Sequence, residues 1–239
     1  MTSLRLLATL FMVAVSTSHA ATLVTWNFND GTTNASATAA NLTAGAFTSA
    51  GGLGSLAVTA NSTVRAVGDT GYVVTWTGTS VGSSGEAGAI TGLDYFTFTL
   101  TPSAGHSMSI DQISFYAWMN TSGTLTDDYN YFVRSSATGA TTLGTYTSAL
   151  RVGNSTVPTT ANQYTLNLSG VTALQNVTTA TTFTIGMYLD NASTSFMRID
   201  SVSLSGTITP VPEPTVAFLA LSAAVVLIFR RRLHRQAAI

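Results

Sequence analysis

Between its two apolar ends this chain has few residues that could do chemistry. The intervening stretch holds a single histidine, His106, in Pro102-Ser103-Ala104-Gly105-His106. A Ser-His-Asp triad would need that imidazole as its base, and no G-x-S-x-G elbow accompanies it. The local pattern predicts instead an exposed residue in a turn between two strands. Glycoside hydrolysis needs two carboxyl groups facing each other across a sugar. Only one glutamate is available, Glu86, in Gly85-Glu86-Ala87-Gly88, where the glycines predict a flexible loop. Asp127 and Asp128 are adjacent, so in a strand they would point to opposite faces. No catalytic residue is assigned, and the chain reads as a non-enzyme.

Cysteine is absent, which excludes disulfides, zinc–thiolate sites and thiol nucleophiles. Loop oxygens remain, and they suit a hard cation such as calcium. Asn29-Asp30, Asp127-Asp128, Asp190-Asn191 and Asp200 supply them, with Asp30, Asp190 and Asp200 the weak ligand candidates. Against calcium stands the plainer reading of these acids as turn formers and solubilising surface, and no other cofactor is indicated. Sugars stack on the flat faces of Trp and Tyr. Trp76, Tyr116, Trp118, Tyr129, Tyr131 and Tyr188 cannot all face one core, and Trp76 and Trp118 are the ligand-binding candidates among them. Core packing is the competing use for each.

The elements that must carry these residues read as strands. Val24, Trp26 and Phe28 alternate with polar residues, and so do Phe96, Phe98 and Leu100, then Tyr164, Leu166 and Leu168, then Phe183, Ile185, Met187 and Leu189. Met108–Met119 is apolar on both sides in its middle. Tyr129–Ser135 and Thr141–Thr147 form a hairpin closed by Ala137-Thr138-Gly139. Val171–Asn176 reads as a helical turn and Phe196–Ile208 as the closing strand. Thr32–Ser62 and Val81–Gly92 read as Gly-, Ala- and Thr-rich loop, broken by a short strand near Leu56–Thr59. No 3.6-residue period persists over ten residues, so eight to ten short strands predict an all-β fold, a single jelly-roll-like β-sandwich. The stretch from Met197 to Gly206 resembles the last strand of many secreted jelly-roll modules that bind carbohydrate.

From Ala21 to Thr209 the chain has four arginines, no lysine and nine acids, a net charge of −5. Phosphate binding needs clustered cations, so nucleic acid is excluded as a partner.

The ends place this body relative to a membrane. Residues 1–20 read as a secretory signal peptide, with Arg5, an apolar stretch from Leu6 to Val15, and Ser18-His19-Ala20 ahead of a cut between Ala20 and Ala21. Residues 21–209 form the ectodomain, with Thr207–Pro210 a short linker. Residues 210–239 are a separate segment. Pro212 and Pro214 keep Val211, Pro212 and Glu213 extended, so a helix begins only beyond them. Thr215–Phe229 is fifteen uncharged residues, nine of them Val, Leu, Ile or Phe, which favour insertion by roughly 3 to 5 kcal/mol. The single transmembrane helix this predicts is about 22 Å long against a hydrocarbon core of about 30 Å, a mismatch relieved by snorkelling arginines. Arg230, Arg231, Arg232 and Arg235 hold its end on the cytoplasmic side and put the ectodomain outside.

Val211-Pro212-Glu213-Pro214, a short apolar helix and an arginine cluster, in that order, resemble the PEP-CTERM sorting signal of exported bacterial proteins. The resemblance implies that Pro212, Glu213 and Pro214 are a recognition motif for the membrane enzyme exosortase, and that a cut near it frees the body. The partners implied are the export machinery and that enzyme; the localisation is the inner membrane with the body in the periplasm, then the cell surface or the extracellular matrix. Three functions stay open for the body: a structural or adhesive envelope protein first, a surface module that binds carbohydrate second, and a polysaccharide hydrolase third.

Overall fold

The structure, a computed structural model, describes residues 20–51, 55–59, 72–76, 85–121, 129–139, 141–148, 152–153, 163–189 and 195–212. The signal segment up to His19, Asp127, Asp128, Asp190, Glu213, Pro214, the apolar stretch 215–229 and the tail arginines lie outside the described residues.

Fourteen strands and one helix are described: β1 (Ala21–Trp26), β2 (Ala37–Thr38), β3 (Leu42–Ala44), β4 (Thr48–Ser49), β5 (Ser55–Thr59), β6 (Tyr72–Trp76), α1 (Gly85–Gly92), β7 (Tyr95–Pro102), β8 (His106–Thr121), β9 (Tyr129–Ser135), β10 (Thr142–Ser148), β11 (Val152–Gly153), β12 (Gln163–Asn167), β13 (Thr181–Leu189) and β14 (Ser195–Pro210). They form two sheets. In the first, β8 lies between β14 and the pair β12 and β11, while β14 carries β1 and β6 on its far side, with β2 beyond β1 and β5 beyond β6. In the second the order is β10-β9-β13-β7, with β3 and β4 along the free edge of β7. All pairings are antiparallel except the two-residue contact of β11 with β8. Following β1, β7, β8, β9, β10, β12, β13 and β14, the chain alternates between sheets except at the β9–β10 hairpin, which is jelly-roll connectivity.

The period-2 strands fill the space between the sheets. Trp26 of the first sheet meets Phe98 of the second at 4.5 Å between ring centroids, and Phe98 stacks on Phe183 at 5.5 Å. At the other end Phe115, Tyr131, Tyr146 and Tyr164 form one aromatic nest, its closest rings 4.9 Å apart.

β8 and β14 extend the strands read at Met108–Met119 and Phe196–Ile208 by a few residues, to sixteen each, and they are paired from Ser195↔Thr121 to Pro210↔His106. Two bulges keep their core faces in phase. Asp111 is left unpaired between Ile110 and Gln112, so Ile110 and Ile113, three apart, both point inward. Ser201 and Val202 bulge on β14, so Ile199 and then Val202 and Leu204 are buried.

Two expectations are corrected and one turn is found where it was read. Thr207–Pro210 is not a linker but the end of β14, paired with residues 106–109. The Pro102–His106 turn between β7 and β8 is present as read, closed by His106 N–H donating to Ser103 O at 3.0 Å; His106 itself is half-buried and opens β8, its Nδ1 3.3 Å from the Ala104 carbonyl. Gly85–Gly88 is not a flexible loop but the first turn of α1. The helix ends in a Schellman arrangement: Leu93 takes φ 61°, its N–H donates to Ile90 O at 3.3 Å, and Asp94 N–H donates to Ala89 O at 2.8 Å. Three glycines make this a poor helix by propensity. Tertiary contacts hold it instead, through fully buried Ala89 and the pairing of Glu86 with Arg134 on β9.

Candidate functional site

The face of the first sheet turned away from the core carries the most unusual chemistry of the fold. Ile199 of β14 pairs with Ala117 of β8, and both are fully buried in the core. By strand alternation their neighbours Arg198 and Asp200 belong to the opposite face. Both are nevertheless buried, at 8% and 0% exposure. Burial of charge on the outer side of a sheet is costly and is found where the charges are engaged.

The bulge positions this pair. Ser201 has φ 49°, a left-handed conformation that a non-glycine residue adopts only under local constraint. Its backbone N–H donates to Asp200 Oδ1 at 2.6 Å, and its hydroxyl lies 3.4 Å from the same oxygen. The turn therefore fixes the carboxylate while reversing the phase of the strand beyond it.

Register brings the two tryptophan positions to the same face. Trp118 pairs with Arg198 across β8, and Val74 pairs with Arg198 across β6, with Trp76 one pleat further along. Two strand spacings sideways and two residues along the strand separate positions 76 and 118 by about 12 Å. Tyr116 pairs with Asp200 on one side and with Gln163 of β12 on the other. By backbone register, positions 76, 116, 118, 198 and 200, on three strands, fall on the same side of the first sheet. Arg198 was missed as a site residue, although its spacing of two from Asp200 in a strand was a readable signal.

The other sequence candidates lie apart. Asp30 is exposed in the turn after β1, its carboxylate accepting from Thr32 N–H at 2.9 Å and from Thr32 Oγ1 at 3.0 Å. Those bonds, the backbone one foremost, hold its carboxyl below the usual range. This is the geometry of a turn former. Among the described residues no group of three His, Asp or Glu stands close enough to hold a metal ion. Tyr131 belongs to the aromatic nest of the core, and Tyr188 lies 6.4 Å from Phe132. Glu86 is engaged: its Oε1 accepts from Arg134 Nε at 2.7 Å and Nη2 at 2.6 Å, and from Thr142 Oγ1. Of the stretch Val211–Pro214, Val211 and Pro212 are described, both exposed, and Ala20 and Ala21 are exposed at the start of β1.

No family model and no curated protein matches the chain. Solved structures to which it is similar include the K1 cleaved adhesin domain of Lys-gingipain from Porphyromonas gingivalis W83, at 16% identity over 77% of this chain and 97% of that one, with a TM-score of 0.39. Another is the CBM22-1 xylan-binding domain of Xyn10C from Paenibacillus barcinonensis, at 13% identity over 79% and 96% of the two chains, with a TM-score of 0.40. A third is a Stig cyclase from Fischerella sp. TAU, at 11% identity over 80% and 100%, with a TM-score of 0.41. With TM-scores below 0.5, none of them carries an activity over to this chain.

Proposed function

We propose that this chain is an exported β-sandwich that binds carbohydrate at the envelope surface, through the outer face of its first sheet. The observation that carries the reading is the buried Arg198 and Asp200 on that face, in register with Trp118, Tyr116 and the Trp76 strand. Sugar recognition combines flat aromatic faces, which take the apolar side of the ring, with fixed charged groups that bond to hydroxyls. No bond-breaking step is assigned, since Glu86 is tied to Arg134 and Thr142. The signal segment, the Pro-Glu-Pro motif and the arginine-capped apolar stretch deliver and tether the body, with exosortase as the processing partner.

A glycan array with the purified protein tests this. Binding to at least one polysaccharide is expected, weakened about tenfold by Trp76→Ala or Trp118→Ala, the loss of one stacking contact with the area it covers. An array with no bound glycan, or binding indifferent to both changes in folded protein, sinks the carbohydrate reading and leaves the structural one. Mass spectrometry of the mature C-terminus tests the processing, which requires an end near Pro214.

A further inference from the structure

We infer that, before the tail is cut, one pole of the sandwich is a docking surface for the phospholipid bilayer, which holds the body end-on with its proposed binding face away from the lipid. The inference rests on the tethering proposed above and adds which part of the fold meets the membrane. Three observations support it. First, the chain reaches the tail without slack. β14 is paired to its last residue, Pro210↔His106, and Val211 N–H then donates to Gly105 O at 2.8 Å, so Val211 is still fixed to the body. Only residues 212–214 separate it from the apolar stretch, and a fully extended chain covers about 14 Å from Val211 to Thr215. The headgroup layer is itself about 5–7 Å deep, so the end of β14 cannot stand far above it.

Second, both membrane-directed ends leave from this pole. Ala21 pairs with Gly206, four residues before Pro210 on the adjacent strand. The start of β1 therefore lies about 14 Å along β14 from Pro210, and export signal and anchor reach one membrane from the same side.

Third, the pole is uncharged although the body is acidic. It comprises the Pro102–Ser107 turn, whose Ser103 N–H donates to Asn41 O, the 168–180 segment, joined to β8 through Met108 and Val177, and Thr207–Pro212. These stretches contain no Asp, Glu, Lys or Arg, and His106 is their one titratable side chain. Of the nine acids of residues 21–209 only Asp111 borders these stretches, its carbonyl accepting from Leu168 N–H at 2.7 Å, so the pole carries little of the body's negative charge toward an anionic headgroup. Val211 is 39% exposed beside a groove of about 270 Å³ lined by Ser107, Asn176, Thr178 and Thr209–Pro212. Arg198 lies twelve residues up β14 from Pro210, which lifts the binding face about 40 Å from the bilayer.

The absence of cysteine makes a site-specific test direct. Full-length chain carrying a fluorophore at Ala104→Cys, Ala173→Cys or, near the opposite pole, Ala50→Cys is reconstituted into phosphatidylcholine–phosphatidylglycerol vesicles containing headgroup-quencher lipid. Quenching at 104 and 173 is expected to exceed that at 50 by about threefold or more, because only the first two sit within the headgroup layer. Co-sedimentation with equal quenching at all three positions overturns the end-on docking and leaves the anchor intact. Failure to co-sediment overturns the anchor and the docking together.

Discussion

Gly206→Ala is the sharpest test of the strand pair that carries both the proposed binding face and the proposed docking pole. A β-carbon at Gly206 would lie 1.9 Å from the carbonyl oxygen of Ser109, 3.0 Å from its carbon and 3.1 Å from Ile110 Cα. All three are backbone atoms of β8 beside the Asp111 bulge, so no side chain can rotate away. Relief requires β14 to move off β8 by more than an ångström, which weakens one or two ladder bonds worth about 1 kcal/mol each and adds overpacking strain of about 1–3 kcal/mol. The expected cost is about 2–5 kcal/mol, or a fall in melting temperature of about 5–15 °C for a domain of this size. Gly186→Ala is the control. There the added carbon would meet the ring of fully buried Phe132 at 2.0 Å, a side chain whose torsions can give where the backbone at Ser109 cannot. Its cost should be smaller, about 1–3 kcal/mol. Thermal melts followed by circular dichroism measure both. A Gly206→Ala protein that melts within a degree of the parent, or above Gly186→Ala, refutes the close approach of β8 and β14.

Other consequences can be measured. Glu86→Gln removes the ion pair with Arg134, both partly exposed, and should cost about 0.5–1 kcal/mol while speeding hydrogen exchange at the Leu93 and Asp94 amides that cap α1; unchanged exchange would show that α1 is held without it. Burial raises the pKa of the Tyr146 phenol above its ordinary value. Because its folded pKa lies above the unfolded one, its contribution to stability is complete below pH about 10 and is lost as pH rises through the folded value. Phenolate absorbance should show a late-titrating tyrosine that Tyr146→Phe removes. Replacing Arg230, Arg231 and Arg232 together by Glu should misorient or release the anchor, read by membrane fractionation; an unaltered distribution rejects their orienting role.

Strand identity was legible because period-2 alternation records which side faces a core, and Phe96-x-Phe98-x-Leu100 needs no partner to be read. The β9–β10 hairpin was legible too, and the helical turn read at Val171–Asn176 is present as a 3-10 turn over Thr172–Leu174. Helix α1 was not legible. Gly85, Gly88 and Gly92 argue against a helix by propensity, and only contacts with residues distant in the chain, Arg134 and Thr142, overrule them. Thr207–Pro210 read as a linker because small polar residues and a proline carry no hydrophobic signal; its rungs are backbone bonds to β8, which sequence does not display.

For the candidate site the division is similar. Composition alone established that residues 21–209 hold one histidine, four arginines, no lysine and no thiol, because those limits follow from counting groups. That Arg198 and Asp200 lie on the side of β14 away from the core was decided by the tertiary structure. Facing depends on register, register depends on the bulge at Ser201, and a bulge is fixed only when two strands far apart in the chain meet.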